Sequence, residues 1–190
     1  FGNDVEFYSV GANLATVLGA DRTFSFLYFN NGADANVAIT GNTMSLTNGG
    51  IVLDQDAAGS HFINSTINLQ TDTEIALNST NGGSLTVSRF TQSGNRALTI
   101  SGPGVLVASN PTSGSYTFVL RNVVVSNGAT LLARSGNGNL GDDDITTFTI
   151  DAGAKYDYNN NGGDPFRSID GGGAREDGVQ GKRIELGGRR

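Results

Sequence analysis

The chain has 190 residues, a formal net charge of −6, 28 glycines and no cysteine. That length can bury a substantial core, and the missing thiols exclude disulfide staples and thiolate metal sites. The acidic balance repels phosphate backbones, so nucleic acid is not an expected partner.

Glycine runs at about twice its average usage of roughly 7%, while charged residues make up only 16% of the chain. Asn, Thr and Ser fill the polar positions, a bias that suits strands and turns. His61 is the single histidine, too few for a zinc site. No apolar run approaches the ~20 residues of a membrane-spanning helix. Phe1 opens the chain without Met or a signal pattern, which reads as a mature or excised segment.

In chain order, "GANLATVLGAD" (11–21) is the one stretch that could pass for a short helix, although it lacks an amphipathic stripe. Everything after it is brief alternation broken by Gly, Asn, Asp and Ser. Predicted strands are "TFSFLYF" (23–29), "NVAIT" (36–40), "TMSLT" (43–47), "GIVLD" (50–54), "HFIN" (61–64), "TINLQ" (66–70) and "EIALN" (74–78). They continue with "SLTVS" (84–88), "ALTIS" (97–101), "GVLVA" (104–108), "YTFVL" (116–120), "NVVVS" (122–126), "ATLLA" (129–133) and "TFTID" (147–151).

Alternation places residues i and i+2 on one face, so each strand offers about two inward apolar side chains. Such a strand is too short to be stable alone, but stacked coils can share one core. Inward pairs are expected to begin at 37, 44 and 51, then 67, 75 and 85, then 98 and 105. Those steps fit a coil with two or three strands per turn. Gly and Asn in "TGN", "TNGG" and "SNGA" are expected to supply positive φ at sharp corners, and corner Asn to form hydrogen-bonded ladders. The expected fold is all-β, a parallel β-helix or β-solenoid. A β-sandwich or jelly roll is the alternative, although it expects turn signals every 8–12 residues.

The segments "GGSLTVSRFTQSGNRALTISGPGVLVASN" (82–110) and "VVVSNGATLLA" (123–133) resemble the autotransporter-associated β-strand repeat. Residues 37–77 are similar to the section that usually precedes it. The resemblance covers roughly residues 23–155, and "NPTSGSYTFVLRN" (110–122) departs from the usual link between the last two strands. It implies a right-handed parallel β-helix on a secreted or surface-displayed protein, with an extracellular or cell-surface location. The expected organisation is a solenoid over 1–155 and a Gly-rich cap, linker or assembly segment over 156–190.

Three polar clusters invite chemistry. In "DYNNNGGD" (157–164), Asp157, Asn159 and Asn161 alternate before Gly162, with Asp164 close behind. Hard oxygen ligands at positions 1, 3 and 5 with Gly at 6 suit a Ca²⁺ loop, but Ser168 stands where a bidentate Glu belongs. This is a candidate Ca²⁺ site, with a polar turn cluster as the alternative; no other cofactor is expected. "GDDD" (141–144) reads as a solvated loop. "DQDAAGSH" (54–61) gathers Asp54, Asp56 and His61, and β-helices can host polysaccharide-cleaving sites, but no catalytic set is convincing.

The expected role is structural: a surface fibre, stalk or surface-layer subunit whose open ends stack on other copies into a homo-oligomer or filament. An alternative is a module binding glycans or a host surface through exposed aromatics, with Tyr28, Tyr116, Tyr156, Tyr158 and Phe166 as stacking platforms. A lyase or hydrolase is a third, weaker reading.

Overall fold

The computed structural model describes residues 3–8, 11–30, 34–109, 120–134, 147–159, 169–170, 174–177 and 182–185. Strand β1 (Val5–Phe7) precedes a coil of three short strands, β2 (Leu14–Leu18), β3 (Arg22–Phe24) and β4 (Leu27–Phe29). The next coil repeats the plan with β5 (Val37–Gly41), β6 (Met44–Leu46) and β7 (Gly50–Leu53). Two later coils merge the first two sides into one longer strand. They are β8 (Ser60–Leu69) with β9 (Thr73–Leu77), and β10 (Ser84–Gln92) with β11 (Ala97–Ser101). Then come β12 (Val105–Ala108), β13 (Asn122–Val125), β14 (Thr130–Arg134), β15 (Thr147–Ile150), β16 (Lys155–Asn159), β17 (Ile169–Asp170), β18 (Ala174–Asp177) and β19 (Lys182–Glu185).

These strands stack into an eight-stranded sheet, β1-β4-β7-β9-β11-β13-β15-β17, and an eleven-stranded sheet that takes the remaining strands. Every pairing is parallel except β18 with β19. The protein is therefore a parallel β-solenoid, as its short alternating strands predict. Among the described residues no helix is long and apolar enough to cross a membrane. The parallel pairing continues past residue 155 through β16 and β18, and the first reversal comes where Ala174 faces Glu185.

The core is built from columns of side chains, one per coil. Leu27, Ile51, Ile75, Ile100, Val125 and Ile150 occupy one register position in successive strands, all essentially inaccessible to solvent. Side-chain hydrogen bonds between neighbouring coils span 22 to 27 residues of sequence, and register partners in successive coils lie 19 to 25 residues apart. The expected pairs at 37/39, 44/46 and 51/53 all point inward and are buried. Residues 36–54 hold the three strands β5, β6 and β7 of one turn, which closes where Ala38 meets Phe62.

Four local expectations are revised. The 11–21 stretch is strand β2, because Leu14–Leu18 pairs residue by residue with Val37–Gly41. Segment 23–29 is two strands with a corner at Ser25 and Phe26. The pair expected at Val105 and Val107 is reversed: Leu106 and Ala108 enter the core, while Val105 and Val107 are half-buried outside. Coil-to-coil register forces this, since Leu106 stacks between Leu85 and Leu131, and Ala108 between Val87 and Ala133. A slip of one residue would turn the whole strand over.

The fourth concerns the corners. Gly41 (φ 105°), Asn127 (φ 51°) and Gly128 (φ 82°) do supply the left-handed conformation, but Gly49 and Gly50 do not. A Cβ on Gly50 would lie 2.0 Å from the Glu74 carbonyl oxygen, so this position is glycine for close backbone approach. Asn122 Nδ2 donates to Asn95 Oδ1 one coil earlier at 3.1 Å, while the Asn13–Asn36–Ser60 ladder runs from side chain to backbone. Asn13 Oδ1 accepts the Asn36 N–H at 3.1 Å, and Asn36 Oδ1 accepts the Ser60 N–H at 2.8 Å.

Candidate functional site

The sequence-predicted ligand loop begins inside a strand. Asp157 and Asn159 lie on β16, in register with Leu132 and Arg134. Asn161, Asp164 and Phe166 lie outside the described residues, as do Tyr116 and Asp142–Asp144. Among the described residues no three His, Asp or Glu side chains gather closely enough to hold a metal ion.

Tyr156 is not the exposed platform expected of it. It is fully buried, with the Phe148 ring edge-on at a centroid distance of 5.1 Å. It continues the column His61–Leu85–Leu106–Leu131, and its ring fills the core at that position. Tyr158, opposite Ala133, is placed by its backbone alone. Tyr28 is half-buried on the outer face of the eight-stranded sheet, where its ring stacks on Phe26 at 5.3 Å.

The 54–61 cluster is divided by the wall of the solenoid. Asp54 is half-buried, with Oδ1 accepting the Gln55 N–H at 2.7 Å, and Asp56 is exposed. His61 is on the inside, fully buried and stacked on Phe29 at 4.4 Å. Its Nδ1 accepts the Val37 N–H at 3.3 Å, whereas Nε2 has no hydrogen-bond partner. Burial lowers its pKa from 6.5 to about 4, so the ring is neutral at pH 7. A group shut behind a sheet cannot join Asp54 and Asp56 in surface chemistry, and this removes the observation behind a hydrolase or lyase reading there.

The N-terminal end is the most unusual surface. Among the described residues, strands β1 and β2 each have a partner on one side only, and so does β3, which pairs with β6. Between them an apolar cavity of about 250 Å³ opens, bounded chiefly by Val5, Phe7, Leu18, Phe24 and Met44. Val5, Phe7, Leu18 and Phe24 are only partly buried, although Leu27, Phe29 and Leu46, the next-coil partners of Val5, Phe7 and Phe24, are fully buried. Leu14 is 42% exposed, where Val37, its partner one coil later, is 0% exposed. Phe7 stacks on Phe29 at 5.5 Å, which carries the aromatic column to the mouth of the cavity. The uncovered core follows from the repeat itself, since each coil is closed only by the next. Sequence reading anticipated an open end but not which residues line it, because that depends on the coil path.

The fold defines the class: an all-β, parallel β-solenoid. The chain matches no family model, no curated protein and no solved structure.

Proposed function

We propose that the chain is a structural β-solenoid of a secreted or surface-displayed protein, of the autotransporter-passenger type, which builds a fibre, stalk or surface layer end to end. The open N-terminal end carries the reading. Unpaired strand edges around an exposed apolar core attract further strands, and only a coil of similar path satisfies both sheets at once. A coil of the same kind meets that requirement, whether from a preceding part of the chain or from a second copy. Among the described residues β17 is also an edge of the eight-stranded sheet, so a head-to-tail contact that repeats without closing is open to it. The surface location rests on the repeat resemblance over 23–155.

Sedimentation velocity with negative-stain imaging over a concentration series tests this. Linear particles that lengthen with concentration are expected. A monodisperse monomer at the highest concentration would overturn it.

A further inference from the structure

A second feature, independent of the open end, lies where three successive coils enter the eight-stranded sheet. A surface groove of about 230 Å³ runs across Phe26 in one coil, Gly49 and Gly50 in the next, and Asp72 and Glu74 in the third. Val52 and Ala76 form its floor. Coils stack about 4.8 Å apart, so the side-chain-free middle coil separates an aromatic wall from an acidic one. The step is enforced by packing. A Cβ at Gly49 would fall 2.7 Å from Cδ2 and Cε2 of the Phe26 ring, and one at Gly50 would strike the Glu74 carbonyl.

The two carboxylates are oriented from the following coil. Asp72 Oδ1 accepts the Ala97 N–H at 3.0 Å, and Glu74 Oε1 accepts the Ser101 hydroxyl. Each keeps a second oxygen. No basic side chain lines the groove. The neighbouring Arg96 instead directs its Nε to the Ser93 carbonyl at 3.2 Å. Phe26 is half-buried, and Tyr28 stacks against it.

We infer that this groove binds a cationic side chain, specifically the guanidinium of an arginine presented by a partner polypeptide. Two carboxylates with no lining countercharge favour a cation over a neutral ligand. The planar guanidinium donates to carboxylate oxygens from its edge and lies against an aromatic ring with its face. The apolar floor takes its methylene stem.

The test is an amide-resolved NMR titration of the intact chain with a blocked Gly-Arg-Gly peptide, its citrulline counterpart and neutral monosaccharides. The arginine peptide is expected to shift the amides of Gly49, Gly50, Val52 and Ala76, with a Kd of about 1 mM for one side chain. Asp72→Asn with Glu74→Gln keeps both structural acceptors and should weaken binding about tenfold or more. Phe26→Leu should weaken it less, with the fold intact by circular dichroism. The proposal is overturned if citrulline binds as well as arginine, if monosaccharides shift these amides and arginine does not, or if no ligand shifts them.

Discussion

Val37 donates its backbone N–H to Nδ1 of His61 across one coil, at 3.3 Å, inside the apolar core. The only histidine of the chain thus stands in a column that continues through Leu85, Leu106 and Leu131.

This arrangement makes stability depend on pH. The folded pKa of His61 is lowered to about 4 from 6.5, so the unfolded chain binds the proton more readily. The contribution is complete above pH 6.5 and is lost as pH falls from there toward about 4. Its ceiling is on the order of 3 kcal/mol, from about 1.4 kcal/mol per pH unit. Denaturant unfolding at pH 7.5 and 4.5 measures it. His61→Leu, which matches its column neighbours, should remove that part of the pH dependence. An unchanged slope in the variant would show that other groups carry it.

Register decides which residues of 105–108 hold the core. Leu106→Ala should cost about 2–5 kcal/mol, as a buried leucine does. Val105→Ala and Val107→Ala should each cost under about 1 kcal/mol, since both side chains are half-buried on the outside. Equilibrium unfolding in urea separates the two cases. The reverse order of effects would restore the alternation first read from the sequence.

Gly50 and Gly19 make a matched pair. A Cβ at Gly50 meets backbone at 2.0 Å, whereas one at Gly19 meets nothing within 4 Å. Gly50→Ala should therefore destabilise by about 3 kcal/mol or more, beyond ordinary overpacking. Gly19→Ala should be neutral, or stabilising by up to about 1 kcal/mol. Thermal melts of the two variants provide the comparison.

A charge at the open end should block further coils. Leu14→Lys places an ammonium on an edge strand where the wild-type side chain is 42% exposed. Lysine on an edge opposes strand addition. The variant should remain monomeric in sedimentation at concentrations where the wild type lengthens, with a melting temperature within a few degrees of wild type, as expected for a surface change.

Much of this architecture is legible along the chain. Where apolar and polar residues alternate, as in "VAI", "MSL" and "IAL", period two assigns each side chain to a face, and the pairs at 37/39, 44/46 and 75/77 are buried accordingly. Gly41 and Asn127–Gly128 mark corners because few other residues accept positive φ. Local chemistry thus determines short strands, frequent corners and hence stacking. It cannot choose between Leu106 and Val105 in an unbroken apolar run, because both phases bury similar residues. Nor does it show that His61 lies inside, that Tyr156 fills a core column, or that Gly49 and Gly50 open a groove between Phe26 and Glu74. Those outcomes depend on which residue lies one coil above another, a separation of 19 to 25 positions between register partners that only the closed path of the solenoid defines.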